Sequence, residues 1–204
     1  MPVRSEDLHG SAPDSAPVAL LLIDVINDLE FEGGDKLLEQ ALPMAERVAA
    51  LKKRAKVAGI PVVYVNDNYG RWRSDFKRLV NHCLNEPVRG KKLAELLRPD
   101  EDDYFVLKPK HSGFFSTTLH TLLDYLRVRT LILAGLTGNT CVLFTAHDAY
   151  MREFHLIVPP DCVASIDPDQ NRYALDLIET VMKAELIPSD KIDISKLARN
   201  KEPS

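Results

Sequence analysis

VALLLIDV at residues 18–25 and IPVVYVN at residues 60–66 frame the stretch of sequence that decides the fold. Both runs are almost continuously apolar, which is typical of strands that are covered on both faces. Between them, residues 37–59 read LLEQALPMAERVAALKKRAKVAG, with apolar side chains at helical spacing and a Gly-Ile-Pro stop. Strand, helix and strand in this order predict a βαβ unit with two parallel strands.

The rest of the chain continues this alternation of strands and helices. Further apolar runs are YFVLK at 104–108, TLILAG at 130–135 and FHLIVP at 154–159. Amphipathic stretches with capping or turn residues at their borders predict helices at 91–97, 117–126, 140–152 and 171–183. The pattern predicts a three-layer α/β fold with a central, mainly parallel sheet flanked by helices.

The domain organisation follows from where the alternation begins and ends. We expect one domain at residues 17–187, a polar N-terminal extension at 1–16, and a polar C-terminal tail at 188–204. The two ends are interpreted either as loose or as packed on a neighbouring subunit.

Composition and charge exclude several classes of function. The chain has 204 residues, 45% of them hydrophobic, and a net charge of -4, which gives no overall attraction to nucleic acid or anionic lipid. No apolar run approaches the roughly 18 to 20 residues of a bilayer helix. Three widely separated cysteines and an N-terminus without a secretory pattern predict a cytoplasmic protein.

Three chemically useful side chains follow three different predicted strands. Asp24 ends the first strand, Lys108 ends YFVLK, and Cys141 follows TLILAGL after the turn at residues 137–140. Because ligands of open parallel sheets bind beyond the carboxyl ends of the strands, these side chains should meet at one edge. Each also has a structural interpretation, as a turn former, a surface charge and a small buried side chain respectively.

An acid, an ammonium and a thiol at one edge predict a nucleophilic site. A thiol attacks as the thiolate, and Asp24 is the candidate base that takes its proton. Lys108 and the helix that begins at Cys141 are both expected to favour the thiolate. The backbone N–H groups of the turn at 137–141 are then available to an oxyanion.

Three segments of the sequence resemble the isochorismatase-like cysteine hydrolases. These are LLIDVINDL at 21–29, VLKPKHSGFFSTTL at 106–119 and LILAGLTGNTCVLFTAHDAYMR at 131–152. The resemblance implies a Rossmann-like fold of about six parallel strands and a catalytic triad of Asp24, Lys108 and Cys141. It also implies that the peptide bond before Thr137 is cis. The backbone N–H groups of Thr137 and Cys141 are then implied to form an oxyanion hole. Lys108 is preferred to Lys110 because of its place in the family's K-x-x-x-S-x-F pattern.

The nucleophile separates the activities within this family. Members that cleave amides, ureides or carbamoyl groups have the cysteine, so Cys141 favours hydrolysis of a C–N bond without a cofactor. Metal-dependent nicotinamidases carry an Asp-x-His after the second strand, whereas this chain has Asp67 followed by Tyr69. We therefore predict no metal, with Asp67 and His82 as the residues that could still bind an ion.

The segment at residues 66–87 is the expected specificity loop. Asn68 and Trp72 in this loop, together with Phe114, are predicted to contact the substrate. The alternative is that Trp72 and Phe76 pack the loop against the body of the protein or another subunit. Of the other histidines, only His111, close to the lysine, remains a candidate for the site.

The leading hypothesis is a metal-independent cysteine hydrolase that cleaves a C–N bond of a small amide, ureide or carbamoyl compound through a thioester. One alternative is a metal-dependent nicotinamidase-like enzyme. Another is a non-catalytic binding protein with a redox-sensitive Cys141. The predicted partners are a small-molecule substrate and further copies of the chain in a dimer or tetramer, with no nucleic acid and no membrane.

Overall fold

The computed structural model describes residues 15–70 and 75–199. Within these residues, one six-stranded sheet contains β1 (Val18–Ile23), β2 (Val62–Asp67), β3 (Tyr104–Lys108), β4 (Thr130–Leu136), β5 (His155–Ile157) and β6 (Val163–Ala164). The strand order is β3-β2-β1-β4-β5, and β6 pairs with β4. All the strand pairings are parallel, which confirms the predicted α/β architecture.

Helices connect these strands and cover the sheet. They are α1 (Gly34–Val57), α2 (Phe76–Asn85), α3 (Lys91–Leu96), α4 (Leu119–Tyr125), α5 (Leu143–Tyr150), α6 (Pro168–Met182) and α7 (Ile194–Arg199). A π-helical turn at Gly138–Val142 leads directly into α5. The helix predicted from residue 171 begins earlier, because the Asp167 side chain accepts hydrogen bonds from the N–H groups of Asp169 and Gln170.

The continuous apolar character of β1 has a simple structural cause. Leu20 and Leu22 face a core cluster formed with α1, α2, α3 and α7, whereas Leu21 and Ile23 face a second cluster formed with α4, α5 and α6. Since β1 lies in the middle of the sheet, no side chain of this strand reaches solvent. The sheet therefore holds the end of β1 between two packed layers.

Helix α2 occupies much of the segment that was expected to be a loop. Asp75 caps it by accepting a hydrogen bond from the N–H of Arg78 at 2.7 Å. Phe76 is buried and stacks on Phe105 with 5.0 Å between ring centroids. The alternative that Phe76 packs this segment against the body is therefore confirmed, and Trp72 lies outside the described residues.

The described part of the polar C-terminal tail packs on its own chain. Ile192 and Ile194 belong to the core cluster beneath α1. Arg54 of α1 donates a hydrogen bond to the carbonyl of Ser189 at 2.7 Å and another to that of Ile192. These contacts attach residues 189–194 to α1.

None of the helices in residues 15–70 and 75–199 is both long enough and apolar enough to cross a membrane. The three cysteines, Cys83, Cys141 and Cys162, are free thiols.

Replacing Arg54 with alanine should lower the free energy of unfolding by about 2 kcal/mol, because two charged hydrogen bonds to carbonyl groups are lost. Urea unfolding of the wild type and the variant measures this difference. Lys53→Ala is the matched control, since Lys53 is an exposed neighbour on the same helix. Equal losses in the two variants would contradict the anchoring role of Arg54.

Candidate active site

The three side chains expected to form the site lie together at the carboxyl edge of the sheet. Asp24 directly follows β1, Lys108 is the last residue of β3, and Cys141 lies in the π-helical turn after β4. The Lys108 ammonium nitrogen is 2.8 Å from a carboxylate oxygen of Asp24 and 3.4 Å from the Cys141 sulfur. The structure thus places the acid, the ammonium and the thiol in mutual contact.

Backbone geometry holds the Asp24 carboxylate in place. Asp24 has a φ of 51°, a left-handed conformation that aspartate tolerates better than most residues. Its N–H donates to the carbonyl of Val65, and its Oδ1 accepts a hydrogen bond from the N–H of Asp67 at 2.7 Å. Because both partners belong to β2, the neighbouring strand fixes the direction of the carboxylate.

The Lys108 side chain is completely buried, and its charge has three neighbours. Burial alone would lower its pKa, but the Asp24 carboxylate and the Cys141 sulfur raise the pKa of Lys108 above its ordinary value. Asp67 contributes a further carboxylate oxygen at 3.6 Å. The groups around Lys108 therefore favour its charged form.

Asp24 and Cys141 both have environments that favour their protonated forms. Burial raises the pKa of Asp24, and the Lys108 charge only partly opposes this effect. Burial and the Asp24 carboxylate raise the pKa of the Cys141 thiol to about 12. Lys108 lowers the pKa of Cys141, as expected, but burial and the Asp24 carboxylate outweigh this effect. Because Asp24 and Cys141 are hydrogen-bonded to each other, the protonation of one depends on that of the other.

The turn before Cys141 has the backbone geometry that the family resemblance implied. The peptide bond between Leu136 and Thr137 is cis. The Thr137 carbonyl accepts hydrogen bonds from the N–H groups of Thr140 and Val142, each at 3.1 Å. The turn is therefore closed on itself, immediately beside the Cys141 sulfur.

Two side chains that the sequence analysis did not single out support this turn. Ser165 accepts a hydrogen bond from the backbone N–H of Asn139 and donates one to the side chain of Asn171. Neither residue lies in a motif or near Cys141 in the sequence. Only the folded arrangement of β6 and α6 brings them to the turn.

His111 lies close to the sulfur, as its position after the lysine suggested. Its Nδ1 is 4.0 Å from the Cys141 sulfur, and its ring centroid is 5.5 Å from that of Phe144. His111 and Phe144 are both exposed, in contrast to Lys108 and Asp24. They therefore lie on the solvent-facing side of the thiol.

The residues predicted to bind substrate have structural partners. The N–H of Asn68 donates to the carbonyl of Lys108, and its side-chain oxygen accepts a hydrogen bond from the N–H of Gly70. Phe114 is buried, with its ring 5.9 Å from Phe154 and 4.9 Å from the guanidinium of Arg152. Contact of Asn68 and Phe114 with a substrate stays a prediction.

The two candidate ion ligands have different partners. The ring nitrogens of His82 lie 3.1 Å from a carboxylate oxygen of Asp28 and 3.0 Å from one of Glu86. Asp67 instead faces Lys108 and accepts a hydrogen bond from the N–H of Tyr69. His82 therefore packs between two other acids, while Asp67 belongs to the edge that holds the thiol.

Replacing Lys108 with methionine should destabilise the protein by about 3 to 5 kcal/mol, because the buried Asp24 carboxylate loses its cation. The pKa of Asp24 then rises further, so the folded protein holds a proton that the unfolded chain releases. Stability should persist at low pH and fall as the pH rises through the folded-state pKa of Asp24.

Urea unfolding at about pH 5 and about pH 8 tests this sign. The loss in Lys108→Met should be larger at the higher pH. The double variant Asp24→Asn/Lys108→Met is the control, and its stability should lack this pH dependence. A loss that is equal at both pH values in Lys108→Met would show that Asp24 does not depend on the ammonium.

Comparisons with known proteins identify the family of this chain. The isochorismatase domain model matches residues 18–190. The uncharacterized isochorismatase family protein YaaI of Bacillus subtilis is 43% identical over 87% of this chain and 97% of that protein. Ureidoacrylate amidohydrolase RutB of Methylobacterium radiotolerans is 29% identical over 88% of this chain and 79% of its own length. N-carbamoylsarcosine amidase from Thermoplasma acidophilum, a solved structure, has a TM-score of 0.66 and 28% identity, covering 86% of this chain and 98% of that one. The chain therefore belongs to the isochorismatase family of hydrolases.

Proposed function

We propose that the protein is a cysteine hydrolase that cleaves a C–N bond of a small amide, ureide or carbamoyl compound through a thioester. The observation that carries this proposal is the placement of one buried ammonium, that of Lys108, against both the Asp24 carboxylate and the Cys141 sulfur. Two relatives support the type of bond, since their names describe an amidohydrolase and an amidase.

Formation of the nucleophile is the first step. Asp24 accepts the thiol proton along the hydrogen bond that joins the two side chains, and the sulfur attacks the carbonyl carbon of the substrate. Lys108 remains protonated and compensates the negative charge, whether that charge lies on oxygen or on sulfur. The proton transfer therefore moves charge without creating an unpaired one.

Cleavage of the C–N bond follows from the tetrahedral intermediate. The N–H groups of Thr137 and Cys141 stabilise the oxyanion, which is the role that the closed turn at 137–141 suits. Asp24 returns its proton to the nitrogen of the substrate, and ammonia or an amine leaves. The carbonyl carbon then remains bound to Cys141 as a thioester.

Hydrolysis of the thioester restores the enzyme. Asp24 accepts a proton from water, whose oxygen attacks the thioester carbon, and the C–S bond breaks. The proton on Asp24 then returns to the sulfur. These steps use the three side chains of the site and one water molecule.

The three free thiols of the chain support a reducing, cytoplasmic location for this activity.

Ammonia release from a panel of small amides, ureides, carbamoyl compounds and nicotinamide tests the proposed activity. The wild type should release ammonia from at least one compound, and Cys141→Ala should lower that rate by at least about a thousandfold. Cys83→Ala is the control, because this buried thiol on α2 has no part in the reaction. A Cys141→Ala protein that keeps most of the rate would overturn the mechanism.

The pH dependence of alkylation by iodoacetamide tests the shared proton. An isolated thiol with a pKa near 8.5 should react about a hundred times faster at pH 8 than at pH 6. Cys141 should gain less than about tenfold, because its thiolate forms by transfer of the proton to Asp24 rather than to solvent.

The Asp24→Asn variant is the control for this measurement. Removal of the internal base should restore the steep dependence of an ordinary thiol. Intact mass is the readout, and Cys83 and Cys162 should stay unmodified because they are fully buried. A hundredfold gain in the wild type would contradict the transfer of the thiol proton to Asp24.

A further inference from the structure

We propose that Ser165 and Asn171 are positioning residues that hold the turn at residues 137–141 in the shape that receives the oxyanion. This inference rests on the proposed function and assigns a role to two residues outside the triad. Both lie on elements beyond the third motif, between the end of β6 and the first turns of α6.

A chain of hydrogen bonds joins the turn to these elements. The backbone N–H of Asn139 donates to the Ser165 hydroxyl at 3.2 Å, and that hydroxyl donates to the side-chain oxygen of Asn171 at 2.9 Å. The amide nitrogen of Asn171 donates in turn to the carbonyl of Val163 in β6 at 3.3 Å. Two side chains, Ser165 and Asn171, thereby link the backbone of Asn139 to strand β6 of the sheet.

Steric contact also holds the turn at Gly138, the residue before Asn139. A Cβ atom on Gly138 would lie 2.1 Å from the side-chain oxygen of Asn171 and 2.8 Å from a methyl group of Val163. The backbone of Gly138 therefore lies directly against the Asn171 amide. Because Gly138 follows Thr137, this contact limits movement of the peptide that is proposed to carry one of the oxyanion donors.

The position of Asn171 is set independently of the catalytic residues. Its N–H donates to the carbonyl of Asp167, the residue that caps α6. The Ser165 side chain, which accepts the hydrogen bond from Asn139, is buried. Helix α6 and β6 thus form a rigid support on which the turn rests.

This arrangement separates two parts of the reaction. Asp24 and Lys108 act on the Cys141 thiol, whereas Ser165 and Asn171 act on the backbone that faces the substrate oxygen. Loss of either positioning side chain should weaken stabilisation of the oxyanion while the reactivity of the thiol persists. Alkylation by iodoacetamide measures the thiol alone, since it forms no oxyanion on a carbonyl.

Steady-state kinetics of Ser165→Ala and Asn171→Ala, with the substrate found in the ammonia assay, test this role. We expect kcat to fall about 10- to 100-fold in each variant, with KM changed by less than about threefold. The rate of Cys141 alkylation should stay within about twofold of the wild type. The double variant should lose less than the product of the two single losses, because both side chains act through one turn.

Gln170→Ala is the matched control. The Gln170 side chain accepts a hydrogen bond from the side chain of Asn139 at 2.7 Å, whereas Ser165 accepts one from the Asn139 backbone. Its removal should leave kcat unchanged. Thermal melting of all the variants identifies any that fail to fold. If either Ser165→Ala or Asn171→Ala fails to fold, the kinetics of the other variant decide the test.

Two results would overturn the inference. One is a kcat within about twofold of the wild type in both single variants. The other is a fall in alkylation that parallels the fall in kcat, which would assign these residues to general support of the site. If Cys141→Ala has lost activity in either case, the proposed function stands and this inference alone fails. Activity that persists in Cys141→Ala would instead overturn the proposed function.

Discussion

The buried ammonium of Lys108 is the constraint on which the rest of the site depends. A fully buried cation is costly unless opposite charges and hydrogen-bond acceptors surround it. Here Asp24 and Asp67 supply carboxylate oxygens, and Cys141 supplies the sulfur. The arrangement that satisfies the charge of Lys108 also places the carboxylate beside the thiol, the pair that the proposed mechanism uses as base and nucleophile. In this proposal, stability and reactivity share one set of contacts.

The parallel sheet explains how these groups meet and why they stay in place. β1, β3 and β4 each deliver one of them to the same edge, while β2 lies between β1 and β3 and fixes Asp24 through its backbone. Burial disfavours charge on both the thiol and the carboxylate, and in the proposed mechanism one proton passes between them. In this account Lys108 keeps the overall charge constant during that transfer. The turn at residues 137–141, which we propose receives the oxyanion, has its own support in β6 and α6.

Features that depend on local pattern could be predicted from the sequence, and features that depend on burial could not. The strands and the meeting of Lys108 with Cys141 follow from apolar runs and the rule that parallel strands end at one edge. Helix α2 has a recognisable pattern, with a capping aspartate before buried residues at helical spacing. The polar and aromatic side chains of the same segment favoured its interpretation as a loop. The raised pKa of Cys141 depends on how deeply its sulfur is buried. The spacing of residues in the sequence does not reveal the depth of burial. Ser165 and Asn171 reach the turn only through long-range packing.

The most direct test of the account is rapid-quench mass spectrometry of the enzyme during turnover of its substrate. We expect a covalent adduct with the mass of the acyl or carbamoyl part of the substrate, mapped by peptide digestion to Cys141 as a thioester. Its appearance should coincide with the first release of ammonia or amine, and its decay should match hydrolysis. Turnover with no adduct on Cys141 under conditions that trap thioesters, or an adduct on another residue, would contradict covalent catalysis by this cysteine.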